Sequence, residues 1–188
     1  MNLTGQFLIA MPAMTDPYFS KTVTYICTHN ADGAMGITIN RTADISVREV
    51  LKQMQLETES APLLNKNVHY GGPVQIDRGF ILHEPQLDYD STILVNNAIA
   101  LTTSRDILAA SAEGKGPQKL LIALGYSGWT AGQLEQEILQ NAWLSHDVSL
   151  NEEAFALIFD TPNNDKFNLA MSMMGLNLAN LSHNAGHA

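Results

Sequence analysis

The run from Lys119 to Leu124 constrains the fold more than any other segment of this chain. Nearly all of its residues are Leu, Ile or Ala, so it lacks the alternation of polar and apolar residues that a half-exposed strand shows. A short continuous apolar run of this kind is typical of a β-strand that is buried on both faces. We therefore expect helices to cover part of the sheet that contains it.

The residues after this run predict a turn and then a helix. We expect Gly125 to Trp129 to form the turn. Thr130 and Gln133 have the spacing of a capping box, in which the two side chains satisfy free backbone amides at a helix start. The helix is predicted to extend to about Trp143.

Glu135 is the unexpected residue of this predicted helix. At about 100° per residue it falls inside the apolar stripe of Leu134, Ile138 and Ala142, whereas the other polar side chains fall on the opposite side: Gln133, Gln136, Glu137 and Gln140. A carboxylate on a core face must be paired, bonded by amides or protonated, because an isolated buried charge is too unfavourable. Glu135 is therefore interpreted either as a structural anchor or as a carboxylate that lines a functional cleft.

The first half of the chain is rich in predicted strands. Thr22 to His29 alternates, and the Asp32-Gly33 pair that follows is a strong hairpin signal because both residues tolerate positive φ. Strict alternation places Cys27 and His29 on one strand face, either as a thiolate–imidazole pair or as a buried, inert cysteine beside a histidine. Because helices concentrate in the last third, we predict an α+β fold with a mostly antiparallel sheet.

Size and charge limit the classes of function. A chain of 188 residues favours one domain, predicted at residues 1–182 with a flexible tail at 183–188. Lys and Arg number 10 against 19 Asp and Glu, a net charge of −9, so nucleic-acid binding is disfavoured. The single cysteine excludes a disulfide scaffold and a cysteine-based zinc site. We expect no metal and no cofactor.

The sequence shows neither a signal peptide nor a membrane-spanning segment, which favours a cytoplasmic location. The N-terminus lacks the basic start and long apolar stretch of a signal peptide. No segment approaches the ~20 apolar residues that a membrane-spanning helix needs. We therefore expect a cytoplasmic protein without a membrane partner.

Two glycine-containing segments are candidate site loops. Gly125-Tyr126-Ser127-Gly128-Trp129 is close to the Gly-x-Ser-x-Gly nucleophile motif, but Trp129 stands where the last glycine belongs. Ser127 is either a nucleophile, with His83 or His146 as a possible base, or part of a structural turn whose amides could bind an anion. Gly71-Gly72-Pro73 suits a tight turn that approaches another group closely, either a structural turn or a ligand-facing loop.

Several segments together resemble the bacterial AlgH (YqgE-like) family. They follow in order along nearly the whole chain: Gly5 to Pro12 with Asp16 and Phe19, His29 with Gly33 to Gly36, Asn40-Arg41, Gly71 to Val74, Gly125 to Trp129 and Gly132 to Glu135. The resemblance implies a bent, bifurcated sheet that forms a pseudo-barrel flanked by helices. It implies no reaction and no catalytic residues, and the family's regulator label comes from a genetic association with alginate production in some members.

The leading hypothesis is a binding module with an indirect regulatory role, which takes a small, possibly anionic molecule or a protein. Arg41 would supply positive charge and a two-pronged donor, and Trp129 an apolar wall. The candidate ligand-binding residues are Asn40, Arg41, Gly71, Gly72, Pro73, Tyr126, Ser127, Gly128, Trp129, Gln133 and Glu135. The alternatives are a hydrolase that uses Ser127 or Glu135 and a transcriptional regulator that binds DNA directly.

Overall fold

The computed structural model describes residues 1–86, 88–147 and 152–176. These residues form ten strands and six helices. The strands are β1 (Phe7–Ala10), β2 (Val23–Asn30), β3 (Gly33–Thr38), β4 (Thr42–Ser46), β5 (Asn67–Tyr70), β6 (Val74–His83), β7 (Thr92–Leu94), β8 (Ala100–Thr102), β9 (Leu120–Thr130) and β10 (Trp143–His146). The helices are α1 (Val47–Gln53), α2 (Ala61–Leu64), α3 (Asp106–Ala112), α4 (Gln133–Leu139), α5 (Glu152–Phe159) and α6 (Asn163–Met173).

The strands form one curled sheet that makes a half-barrel. Its main order is β10-β1-β2-β3-β9-β6-β8-β7, with β5 against β9 and β4 against β5. Among the described strands, β5 and β9 run parallel and the other pairs run antiparallel. The predicted α+β class with a bent, mostly antiparallel sheet is therefore confirmed.

Strand β9 is the centre of the sheet, and its first half is buried on both faces as predicted. Leu121 and Ala123 belong to one apolar cluster with β1 and β2 residues. Leu120 and Ile122 belong to a second cluster, which includes residues of α1 and α3. Helices therefore cover the second face of this part of the sheet.

The prediction of a turn at Gly125 to Trp129 is wrong, because β9 continues to Thr130. Gly125 has a φ of 71° and bends the strand without ending it. Before the bend β9 pairs with β5 and β6, and after it the strand pairs mainly with β3. The partners available on both sides of the bend keep the chain extended, and the sheet divides at this point.

Helix α4 is shorter than predicted. It ends at Leu139, Asn141 has a φ of 56°, and Trp143 begins β10 rather than ending the helix. A left-handed residue of this kind is a common helix terminator. At the other end the N-cap is Gly132 and has no side-chain cap, so the predicted capping box of Thr130 and Gln133 is wrong. Gln133 Oε1 instead accepts hydrogen bonds from the backbone N–H and the hydroxyl of Thr130, the last residue of β9.

A β-bulge in β2 corrects the predicted strand faces. The register with β3 shifts between Ile26 and Thr28, so Cys27 is the extra residue. Cys27 therefore lies in one apolar cluster and Ile26 in another, and His29 pairs with Ala34 on the Ile26 side of the sheet. Cys27 and His29 thus do not share a face, because a bulge changes the alternation that follows it.

None of the helices in the described ranges has the length and apolar character needed to cross a bilayer. The predicted tail at 183–188 and the domain end at 182 lie outside the described residues. The domain bounds therefore stay a prediction.

Candidate functional site

A cleft of about 330 Å³ lies on one face of the second half of β9. The loop after β1, the turn before β6, β9, α4 and the segment before β10 all contribute to it. We call it the aromatic cleft; it is lined by Met14, Asp16, Phe19, Pro73, Gly128, Trp129, Gln133, Glu137, Ala142 and Trp143. The cleft brings together four of the predicted site residues, namely Pro73, Gly128, Trp129 and Gln133.

Glu137 organises the polar side of this cleft. Its Oε2 accepts hydrogen bonds from the indole N–H groups of Trp129 and Trp143, each at 2.8 Å. Its Oε1 accepts a bond from Gln133 Nε2 at 2.9 Å. Both tryptophans are nearly buried, at 6% and 3% exposed. One carboxylate therefore fixes the orientation of both indole rings.

The aromatic rings pack edge to face. The centroids of Trp129 and Trp143 are 6.0 Å apart with an interplanar angle of 82°. Phe19 meets Trp143 at 5.4 Å and 78°. This geometry is favourable for aromatic pairs because the positive ring edge meets the negative face. The cleft thus has rigid aromatic walls.

The loop that carries Phe19 is held by its own backbone contacts. Asp16 Oδ1 accepts hydrogen bonds from the backbone N–H groups of Tyr18 at 2.8 Å and Phe19 at 3.1 Å. Arg41 Nη1 and Nη2 donate to the carbonyls of Pro17 and Ser20, at 2.9 and 3.0 Å. Arg41 therefore positions one wall of the cleft, and its two-pronged donor faces backbone rather than the cleft.

Asn40 also has a backbone partner on each side. Its Oδ1 accepts from the N–H of Val23 at 2.9 Å, and its Nδ2 donates to the carbonyl of Lys21 at 2.9 Å. Neither Asn40 nor Arg41 lines the aromatic cleft. Both predicted ligand-binding residues thus stabilise the loop and the strand beside it.

The Gly71-Gly72-Pro73 turn packs directly against β9. Gly71 donates to the carbonyl of Leu124 at 2.8 Å and accepts from the N–H of Thr38 at 2.9 Å. Gly72 has a φ of 155°, and a Cβ atom there would lie 2.2 Å from the carbonyl carbon of Tyr126. The two glycines therefore allow the turn to approach the neighbouring strand β9 closely. Of the three turn residues, Pro73 alone lines the cleft.

Ser127 does not have the position of a nucleophile at a strand–helix turn. It lies inside β9, is 1% exposed, and its Oγ has no hydrogen-bond partner among the described residues. His83, a possible base, bonds instead to the carbonyl of Glu84 and the hydroxyl of Thr102. Tyr126 packs on Phe80, with 5.2 Å between the ring centroids. It also lines a second cleft with Val74 and Met35.

Glu135 pairs with His29 and lies outside the aromatic cleft. His29 Nδ1 accepts from the backbone N–H of Leu3 at 3.1 Å, so Nε2 carries the ring proton and donates to Glu135 Oε1 at 3.0 Å. His29 is 5% exposed, and both of its ring nitrogens are occupied. The bulge at Cys27 places His29 on the face where α4 packs, which makes this pair possible.

The Glu135–His29 pair predicts a pH-dependent stability. The nearby backbone N–H of Glu135 itself, and then His29, hold the pKa of Glu135 below its usual value, against opposing partial burial. A lowered carboxyl pKa stabilises the fold above the unfolded-state value of about 4.3, and this stability is lost as the pH falls through the folded-state pKa. Urea unfolding of wild type and Glu135→Gln between about pH 7 and pH 3 should show a difference that shrinks toward low pH.

A difference that is constant with pH would contradict this assignment. Glu135→Ala gives the companion measurement, because it leaves the buried His29 N–H without its acceptor. We expect Glu135→Ala to be less stable than Glu135→Gln at neutral pH, where the glutamine oxygen can still accept that bond. Equal stability of the two variants would contradict the interpretation of Glu135 as a structural anchor.

Six residues that line the cleft were not among the predicted site residues: Met14, Asp16, Phe19, Glu137, Ala142 and Trp143. Glu137 was placed on the outer side of the helix, but that side faces the two tryptophans. One general rule could have pointed to Glu137: the N–H group of a buried indole needs a hydrogen-bond acceptor. Among the described residues, no group of three or more His, Cys, Asp or Glu side chains could hold a metal ion.

A family model and full-length relatives match this chain. A family model described as AlgH-like matches residues 7–179. The UPF0301 protein of Nitrosospira multiformis is 45% identical over 188 residues, covering 100% of this chain and 98% of the relative. The UPF0301 protein of Ralstonia nicotianae is 48% identical over 188 residues, covering 100% and 96%.

Two solved structures share the architecture. The solution structure of the AlgH protein from Pseudomonas aeruginosa has a TM-score of 0.80 and 45% identity, covering 100% of this chain and 97% of that one. A crystal structure of a protein from Corynebacterium diphtheriae has a TM-score of 0.68 at 20% identity, covering 91% and 86%, and this likeness shows the fold alone. The sequence motifs, the divided sheet and these matches lead to one conclusion: this chain belongs to the AlgH-like (UPF0301) family.

Proposed function

We propose that this protein is a cytoplasmic binding module whose ligand site is the aromatic cleft. The observation that carries the proposal is the arrangement of Phe19, Trp129 and Trp143 around an open volume of about 330 Å³. Their orientations are set by edge-to-face packing and by Glu137, so the walls are formed before any ligand arrives. A preformed cleft of apolar walls with a few fixed polar groups is typical of a ligand site.

The lining favours a ligand with an apolar body and a positive or hydrogen-bond-donating group. Asp16 and Glu137 line the cleft, and no Lys or Arg stands among its described lining residues. Aromatic faces and carboxylates both attract cations. Since Arg41 donates to backbone carbonyls, the sequence-based expectation of an anionic ligand loses its main support here.

A regulatory role would be exercised through the ligand or a protein partner. The net charge of −9 opposes direct contact with the DNA backbone, which depends on clustered Lys and Arg. We therefore place any control of gene expression downstream of ligand binding. Direct DNA binding that persists at physiological salt would contradict this part of the proposal.

The hydrolase alternative receives less support from the geometry. Ser127 Oγ is buried and lacks a base among the described residues. Glu135 has His29 beside it, but the ring of His29 has no nitrogen left to exchange a proton with a substrate. These contacts favour a structural role for the pair over a catalytic one.

Native mass spectrometry of protein isolated gently from its host tests the proposal. We expect a stoichiometric extra mass on the wild type, which is reduced or lost in Phe19→Ala. The matched control is Tyr18→Ala, because Tyr18 is the adjacent aromatic of the same loop but stacks on Tyr70 rather than lining the cleft. An extra mass retained equally by both variants, or no extra mass on the wild type, would contradict tight binding in the cleft.

Tryptophan fluorescence then measures the affinity of the identified compound. The chain has two tryptophans, and both line the aromatic cleft, so binding there changes the signal. Trp129 also lines the second cleft, but Phe19 does not, so Phe19→Ala separates the two sites. We expect saturable change in the wild type and an affinity weaker by roughly tenfold in Phe19→Ala, the effect of losing one aromatic contact at a binding hot spot. Binding unchanged in Phe19→Ala would place the ligand elsewhere.

A further inference from the structure

The carboxylates of the aromatic cleft have no counter-ion among the described residues. Asp16 and Glu137 both line the cleft. The ion pairs in the described part of the chain involve neither of them. Arg41 holds the loop that carries Asp16, but its guanidinium donates to the backbone carbonyls of Pro17 and Ser20. Positive charge is therefore what a ligand would add to this cleft.

Glu137 offers its charge more than its hydrogen-bonding capacity. The N–H groups of Trp129, Trp143 and Gln133 already donate three hydrogen bonds to its two oxygens. A carboxylate has about four acceptor positions, so about one stays open. All three donors are neutral, and they leave the negative charge in place. A cation beside Glu137 thus gains electrostatic attraction even if it carries no N–H group.

The rest of the lining suits methyl groups. Phe19 is half-buried, whereas Trp129 and Trp143 are nearly buried, so Phe19 is the most exposed of the three rings. Met14 and Ala142 add apolar surface. Aromatic faces attract cations, and quaternary ammonium ions present their charge through methyl groups that pack on such surfaces. The N–H groups of a primary ammonium would need acceptors that these apolar side chains lack.

We propose that the cationic group recognised by the aromatic cleft is a quaternary ammonium, carried by a small organic compound. This inference rests on the proposed function and specifies the class of its ligand. The positive charge balances the carboxylates of Asp16 and Glu137, and the methyl groups pack on Phe19 and on the exposed parts of the two indoles. The volume of about 330 Å³ is that of a small-molecule site.

Heteronuclear NMR titration with choline tests the ligand class. The neutral isostere is 3,3-dimethylbutan-1-ol, in which carbon replaces the nitrogen. The two indole N–H signals report on the cleft, because both indoles donate to Glu137. We expect choline to shift these signals saturably and the neutral alcohol to bind roughly tenfold more weakly, the effect of a cation–π contact in a partly desolvated site. Ethanolamine, the primary ammonium of the same chain length, should also bind more weakly than choline.

Asp16→Asn separates the charge of the cleft from its shape. An asparagine keeps the Oδ1 atom that accepts the backbone N–H groups of Tyr18 and Phe19, so the loop keeps its conformation. We expect this variant to bind choline roughly two- to fivefold more weakly at low ionic strength, and the neutral alcohol as the wild type does. Asp32→Asn is the matched control, because Asp32 lines the second cleft and not the aromatic cleft. It should leave the choline affinity unchanged.

Three results would overturn the inference. Equal affinities for choline and the neutral alcohol, or tighter binding of ethanolamine, would show that the cleft does not select a quaternary ammonium. Indole signals that choline does not shift would exclude this class of ligand. An equal loss of choline affinity in Asp16→Asn and Asp32→Asn would mean that the aromatic cleft is not the cation site. Native mass spectrometry decides the proposed function separately, since an extra mass that Phe19→Ala loses still supports a ligand in the aromatic cleft.

Discussion

Replacing Glu137 by leucine is expected to lower the free energy of unfolding by about 2 to 5 kcal/mol. The carboxylate accepts hydrogen bonds from both indole N–H groups, and both tryptophans are nearly buried. Leaving a buried donor unsatisfied costs about 1–3 kcal/mol, and this substitution leaves two. Chemical denaturation followed by circular dichroism measures the loss, which corresponds to a fall in Tm of roughly 5 to 15 °C.

Two controls separate the hydrogen bonds from general effects on α4. Glu137→Gln keeps one oxygen acceptor of the same shape and should lose clearly less stability than Glu137→Leu. Gln136→Ala changes an exposed neighbour on the same helix and should stay within about 0.5 kcal/mol of the wild type. A leucine variant as stable as the wild type would show that the indoles do not depend on Glu137.

The second large effect is expected at Gly72. An alanine Cβ there would lie 2.2 Å from the carbonyl carbon of Tyr126 and 2.3 Å from the backbone nitrogen of Ser127. These are backbone atoms of the central strand and cannot move aside as a flexible side chain can. We expect Gly72→Ala to destabilise the protein by more than about 4 kcal/mol, or to prevent folding.

Gly114→Ala is the matched control for this collision. Gly114 also has a positive φ, 74°, but a Cβ atom there would meet nothing within 4 Å. Its substitution therefore measures conformational strain alone, expected at about 1–2 kcal/mol. Urea unfolding measures the loss of stability in each variant. Similar losses would show that the close contact between Gly72 and β9 does not determine the stability of the fold.

The local signals in the sequence predicted the main elements of the fold well. The apolar run at Lys119 to Leu124, the Asp32-Gly33 hairpin and the strand-rich first half are all present. What could not be predicted depends on contacts between distant segments. The bend at Gly125 looked like a turn because a glycine cluster carries no information on the strands that pair beyond it.

The candidate site was predicted only in part for the same reason. Pro73 and Trp129 line the same cleft, because the turn before β6 packs against β9. An alternating sequence pattern does not reveal the β-bulge at Cys27, which changes the face of the sheet on which His29 lies. The hydrogen bond between His29 and Glu135 therefore could not be predicted. The helical pattern predicted that Glu137 faces outward, because it carries no information on Trp143 of β10, which donates a hydrogen bond to Glu137.

The central position of β9 has a consequence for biosynthesis. The strands β1 to β3 and the strands β6 to β8 leave the ribosome before Leu120–Thr130, the segment that joins them into one sheet. Until then, β3, β5 and β6 present unpaired edges, which are the features that invite wrong pairing and aggregation. The nascent chain can therefore complete this sheet only after residue 130 has been synthesised, and a chain that stops before residue 120 keeps these strand edges unpaired.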